Sequence, residues 1–376
     1  MSARVRLGLN LLIFGFGLTI TSIAPMMPSI IEQFNLSLSQ GSLFNMINNF
    51  GGFVGIILAV IWGDRMKKTL LYQIGYSVFT AALFAISLIR GYYVLLAVFF
   101  IMGIGARVVD VMGNPIITSN YPQKAGKYLS TMHMFIGIGG LSGPVLVGAL
   151  ISLGFTWQTV FRFNGFYCVC VLLASPWFFR GSVEIAQHSN APPAVNLWKN
   201  KLLWKAGAIA AFSSGYQAIF NVWSAMYMER QFALPTMLAS IITTLVWVGI
   251  TLSRVIYSMF KLPFTSKQIL IYGSLISAVT TGISFFQPYY MFTIAAMTLS
   301  GLMTGVVMPL VIDRVTREYP YQAGRLTAIL FLCSILTVMI FPWICGVIAD
   351  ATNFSTGMLT ASLALLIVFI IALWFD

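Results

Sequence analysis

Charge is scarce in this sequence. Only 8% of its 376 residues are Asp, Glu, Lys or Arg, and only nine of those are acidic. Water-soluble domains carry about a quarter charged residues, so a soluble fold is excluded. Histidine and cysteine are also rare, at two and four. Cys168, Cys170, Cys333 and Cys345 fall in apolar stretches without metal-ligand spacing, and Cys168 and Cys170 point to different helix faces. They read as small apolar packing residues. The short alternating segments of a β-barrel are missing. So are a nucleotide-binding loop, an HExxH pair and a GxSxG elbow. No cofactor or metal is therefore expected, and an enzyme or ATP-driven pump is disfavoured.

What the chain has is apolar length. Hydrophobic residues make up 59% of it, and the mean hydropathy is +0.90. Runs long enough to cross a bilayer recur from end to end. Twelve spans are expected, over 7–29, 42–62, 69–89, 93–118, 127–153, 159–179, 202–227, 235–259, 267–287, 289–312, 324–349 and 354–375. The first follows Arg4 and Arg6, as in a signal peptide, but no small-residue cleavage site follows it, so it reads as a retained span. The net charge of +12 does not require a nucleic-acid partner. With these spans, sixteen of the 21 Lys and Arg lie on one side of the membrane and only Arg90, Arg162 and Arg230 on the other. The positive-inside rule then puts both termini in the cytoplasm. The expected location is a bacterial inner membrane, with the lipid bilayer as partner and a monomer as the working state.

The chain repeats itself. Tyr121-Pro122-x-x-Ala125-Gly126-Lys127 returns as Tyr319-Pro320-x-x-Ala323-Gly324-Arg325, 198 residues later. At the same offset Gly103 maps to Gly301, Pro144 to Pro342 and Gly148 to Gly346. The stretch after Arg180, with Pro192-Pro193, is the one credible linker. The expected division is a six-helix half over 1–180, a cytoplasmic linker over 181–200 and a second six-helix half over 201–376. Duplicated halves of this kind mark transporters that rock about a central site.

The sharpest chemical signal is Asp110. A carboxylate inside a span costs about 2.5–3.5 kcal/mol on insertion scales, so it is usually paired or functional. Arg107 at i−3 and Asn114 at i+4 share its helix face. Pro115 cannot donate to the carbonyl of Val111 and leaves a polar backbone group nearby. Two readings stay open: an ion-coupling or substrate site, and a static ion pair. His133, on the next span, is at similar depth and is a candidate proton relay or a simple interhelical hydrogen bond. Arg254, deep in the eighth span, is expected to snorkel or to bond a backbone carbonyl. Gly51-x-x-x-Gly55 and Gly139-x-x-x-Gly143 read as close helix crossings, and Pro144 and Pro342 as kink sites.

Twelve spans, repeated halves and a mid-chain loop resemble the major facilitator superfamily over the whole chain. Asp64-Arg65, with Lys68 following, sits in the loop after the second span, where that superfamily has G-x-x-x-D-R-x-G-R-K; Val60 and Lys67 replace its glycines. The resemblance implies a cytoplasmic gate at Asp64, Arg65 and Lys68; the bland alternative is a basic loop that anchors topology. Asp110-x-x-x-Asn114-Pro115 and Met132-His133-x-x-x-Gly137-x-Gly139-x-x-x-Gly143-Pro144 are similar to elements of fucose-permease-like sugar transporters, as are Met308-Pro309 and Pro342-x-x-x-Gly346-x-x-x-Asp350. That branch has a carboxylate in its first span, and Phe14 to Pro28 here contains none. In the superfamily spans 1, 4, 7 and 10 line the cavity. Tyr216, Gln217, Asn221 and Trp223 on span 7 and Asn45, Asn48 and Asn49 on span 2 are then candidate contacts, because amides bond hydroxyls and an aromatic plane stacks on a sugar ring.

The expected protein is an all-α integral membrane protein of twelve transmembrane helices in two pseudo-symmetric halves. It would move a small-molecule substrate, a sugar or sugar derivative, coupled to a proton or sodium ion. Ion coupling would fall to Asp110, Arg107 and His133, and substrate binding to Asn114, Gln217, Asn221, Trp223, Tyr216, Asn45 and Asn49. The alternatives are a proton-coupled exporter of drugs or metabolites and a non-transporting sensor on the same scaffold.

Overall fold

A computed structural model describes residues 2–63, 65–121, 125–182, 200–260, 262–318 and 323–375. The expected gate residue Asp64, most of the expected linker, and Pro122 and Pro320 of the repeated loops lie outside the described residues.

Among the described residues all regular structure is helical. In order the helices are α1 (Ser2–Phe34), α2 (Leu38–Gly63), α3 (Lys68–Leu88), α4 (Tyr92–Asn120), α5 (Ala125–Ser152), α6 (Trp157–Phe178), α7 (Lys201–Phe232), α8 (Thr236–Met259), α9 (Ser266–Ser284), α10 (Tyr290–Thr304), α11 (Val307–Glu318), α12 (Ala323–Ala351) and α13 (Phe354–Leu373). Ten stretches of the described residues are long and apolar enough to cross a membrane, and one of them runs through both α10 and α11. Large apolar side chains stay exposed on many helices, among them Val60, Leu173, Leu252 and Phe286. In water such a surface would associate; in hydrocarbon it is the lipid-facing coat, and helices satisfy their own backbone there.

The tenth expected span breaks at Gly305-Val306. Pro309 has no N–H, so it cannot bond the carbonyl of Gly305 four residues back, and the helix restarts at Val307. The prolines expected to mark kinks, Pro144 and Pro342, sit inside helices α5 and α12.

The chain divides into two compact units: Met1–Asn35 with Leu43–Ser189, and Leu36–Ser42 with Asn190–Asp376. In the first, α1 packs on α5 and α3 on α4; in the second, α7 packs on α12, α8 on α10 and α9 on α13. Glycines set the closest approaches. A methyl at Gly51 would strike the carbonyl of Phe100, and one at Gly103 the carbonyl of Asn48, so α2 and α4 touch backbone to backbone. The second unit has the same two crossings: a methyl at Gly249 would come within 2.5 Å of the carbonyl oxygen of Thr298, and one at Gly301 within 2.6 Å of that of Val246. Each residue of these pairs is 198 positions from its counterpart, the offset of the repeated loops. The second unit also takes in the start of α2. There the two carboxylate oxygens of Asp350, at the end of α12, accept from the backbone N–H groups of Leu38 and Ser39, both at 2.8 Å.

Candidate solute and ion-coupling site

In the first unit the polar residues of α4 form one cluster. The guanidinium of Arg107 donates to Asp110 Oδ2 at 2.9 Å, one turn along the same helix. Their side chains are 31% and 27% exposed, so the pair is not sealed in the packing. Arg107 lies over Gly52 of α2, where a methyl would come within 3.4 Å of Nε. A side chain on α2 would crowd the guanidinium at that point. Asn114 completes the face by donating to the backbone carbonyl of Asp110 at 3.2 Å. Spacing alone brings these three residues together.

On α2, Asn49 donates to the backbone carbonyl and to the amide oxygen of Asn45, at 2.9 and 3.1 Å. The amide nitrogen of the neighbouring Asn48 is buried with no hydrogen-bond partner among the described residues. His133 is exposed on α5, which packs chiefly on α1, and no hydrogen bond joins it to Asp110 among the described residues. Arg65 is exposed and Lys68 is buried at the start of α3.

In the second unit the span-7 residues separate by environment. Tyr216 and Trp223 are fully buried. The Tyr216 hydroxyl bonds Thr304 Oγ1 and donates to the carbonyl of Ser300, and Trp223 Nε1 donates to the carbonyl of Pro342 at 2.9 Å. Both rings are built into the helix packing, so no solute can stack on them without repacking the unit. This corrects the expectation of an open aromatic plane. The reason is tertiary: α10 and α12 cover the face that helical spacing leaves open. Gln217 and Asn221 are partly exposed, and Asn221 Oδ1 accepts from Trp247 Nε1 of α8 at 3.0 Å. Trp247 was not among the sequence candidates, because only the fold brings α8 beside α7.

Arg254 of α8 donates from Nε to the carbonyl of Gly305 at 3.1 Å, the group that Pro309 leaves without a helical donor. The backbone bond is the second of its two expected roles. Further along, the hydrogen bond from Arg317 to Asp313 at 2.8 Å raises that guanidinium above its ordinary pKa.

An ion pair in mid-helix, glycine-tight crossings and a broken tenth rod are features of a transport fold, and comparison decides which. The sequence profile of the Major Facilitator Superfamily matches residues 9–261. The chain belongs to that superfamily. It is therefore a multi-pass membrane protein of a transporter superfamily. Over 103 residues it is 29% identical to the riboflavin transporter RibZ of Clostridioides difficile, covering 27% of this chain and 22% of that protein. Over 160 residues it is 22% identical to the glucose/mannose transporter GlcP of Bacillus subtilis, covering 43% and 38%. The matched stretches thus span less than half the length of these relatives. Among solved structures, a bacterial homologue of the human lysosomal transporter Spinster, inward-facing and occupied, superposes with a TM-score of 0.83 at 16% identity. It covers 99% of this chain and 95% of that one. That likeness establishes the superfamily fold.

Proposed function

We propose that the protein is a secondary active transporter that moves a small polar solute, a sugar or sugar derivative, by alternating access, driven by a proton or sodium gradient. The observation that carries this reading is the Arg107–Asp110 pair. It is a carboxylate in mid-helix, paired by its own turn, yet not sealed in the packing. Protonation or cation binding would neutralise Asp110 and release Arg107. A coupling ion shifts the equilibrium between two states only by its differential affinity for them, and one pKa unit between them supplies ~1.4 kcal/mol. Around the pair, Asn114, Asn45 and Asn49 offer amides in the first unit, and Gln217 and Asn221 offer them in the second, which suits a polyhydroxylated solute. The name of the relative GlcP supports the sugar class, and that of RibZ widens it to ribityl compounds.

On this reading all twelve rods cross the membrane, counting α10 with α11 as one. The duplicated contacts at 198 residues support two pseudo-symmetric halves over 1–180 and 201–376. Both termini are cytoplasmic, the membrane is a bacterial inner membrane, the protein works as a monomer, and Asp64, Arg65 and Lys68 form the inner gate. Proton-coupled export of a metabolite is the second reading, favoured by the missing carboxylate between Phe14 and Pro28 of α1.

The experiment is a thermal-shift screen of purified protein against sugars, polyols and ribityl compounds, followed by counterflow of each hit in proteoliposomes. The proposal expects a stabilising hit that also exchanges. Hits confined to hydrophobic drugs would replace the solute class, and stabilisation without any exchange would replace transport by sensing.

A further inference from the structure

Arg254 lies within a candidate span of the second unit, and its surroundings differ from those of its counterpart in the first. Arg107 projects from α4 over Gly52 of α2. The position 198 residues after Arg107 is Gly305, and Arg254 reaches that place from α8 instead. Both units therefore put one guanidinium at the same helix crossing, from opposite helices. In the first unit Asp110 neutralises it. The position 198 residues after Asp110 is Met308, which offers no charge. The acidic residues of α11 bond other arginines, Asp313 to Arg317 at 2.8 Å and Glu318 to Arg314 at 3.4 Å. Among the described residues Arg254 has no carboxylate partner, and only its Nε is engaged.

Arg254 lies off the line of exposed leucine and methionine side chains on α8. Exposed Leu238, Leu252 and Met259 fall, with Leu245, at seven-residue steps and form one stripe. Trp247 and Arg254 stand two residues after Leu245 and Leu252, about 200° round the helix, on the opposite side. Trp247 on that side bonds Asn221 of α7, so that side borders α7 at the level of Trp247. Arg254 is nevertheless exposed, as is Thr251 one turn before it. The bond from Nε to Gly305 fixes the guanidinium plane and leaves its two outer nitrogens free to grip both oxygens of a carboxylate or phosphate.

We infer that Arg254 is a substrate-binding residue and that the solute carries an anionic group, a carboxylate or phosphate, which supplies the counter-charge missing from the second unit. This rests on the polar-solute transport reading above and narrows its substrate class to acidic sugar or sugar-like derivatives, with Thr251 one turn before Arg254 for a hydroxyl.

The test measures binding of paired probes to the purified full-length protein: glucose against glucuronate, ribose against ribose 5-phosphate, and riboflavin against its 5′-phosphate. At least one acidic member is expected to bind about tenfold or more tighter than its neutral parent. Arg254→Gln should erase that preference while the neutral parent binds as before, and Arg254→Lys should keep part of it. Neutral parents that bind as tightly as their acids would overturn the inference and leave polar-solute transport standing. Binding of no probe would count against both. An acid preference retained in Arg254→Gln also overturns it. So does stabilisation by Arg254 that follows the phosphatidylglycerol content of the micelle rather than the soluble anion, since the residue would then hold a lipid headgroup. The wild-type arm requires no variant, so an Arg254→Gln protein that fails to fold does not remove the test.

Discussion

At the scale of single residues, the buried aromatics and the exposed ions of this chain do different work. Tyr216 spends its hydroxyl on Thr304 and Ser300, and Trp223 spends its indole N–H on Pro342. Tyr216→Phe should therefore cost about 1–2 kcal/mol of stability, because buried partners lose their donor. Solute affinity should stay unchanged, as read by thermal unfolding beside a binding isotherm. A selective loss of affinity at wild-type stability would return Tyr216 to the solute site. The cluster of Arg107, Asp110 and Asn114 was legible in the sequence because i−3 and i+4 spacing on a helix is local geometry. The burial of Tyr216 and Trp223 was not, since it depends on which helices cover α7. Arg254 stood between these cases. Its position in a span was visible, but its acceptor, the Gly305 carbonyl, became available only through a break on another helix.

At the scale of helices, the glycines at crossings and the cap on α2 hold the elements in place. Gly103→Val and Gly301→Val should each destabilise the protein by about 1–3 kcal/mol, because each puts a side chain against a neighbouring backbone carbonyl. Equal melting temperatures in the variants and the wild type would show that these crossings have slack. Asp350→Ala should cost about 1–2 kcal/mol by stripping two N–H groups at the start of α2 of their acceptor. It should also speed labelling of a cysteine placed at Ser39; unchanged labelling and stability would reduce the cap to a surface contact. The crossings could be read from small-xxx-small spacing and from the repeat offset. The cap could not, since Asp350 and Leu38 are 312 residues apart and no periodicity joins them. The break at Gly305 was missed because the run from 289 to 312 is uniformly apolar, and hydropathy does not register a missing N–H.

For the molecule as a whole, the claims concern orientation and drive. The helical membrane fold was legible from composition and apolar run length, because a bilayer imposes those patterns on any chain that crosses it, and the 198-residue repeat carried the resemblance to the superfamily. The solute was not, since its contacts are amides and arginines that serve equally well as interhelical bonds. Orientation is tested by a single cysteine at Ser182 in a variant lacking the four native cysteines. An impermeant maleimide should fail to label it in intact cells and should label it after lysis. Labelling in intact cells would invert the topology. The central claim, that Asp110 couples solute movement to an ion gradient, is tested most directly by uptake into proteoliposomes of a solute that binds. Wild-type protein should concentrate it above equilibrium under an imposed proton or sodium gradient. Asp110→Asn should lose that accumulation and keep counterflow exchange at equal pH and equal sodium. An Asp110→Asn protein that still concentrates the solute like wild type would reduce Asp110 and Arg107 to a structural ion pair and contradict the account.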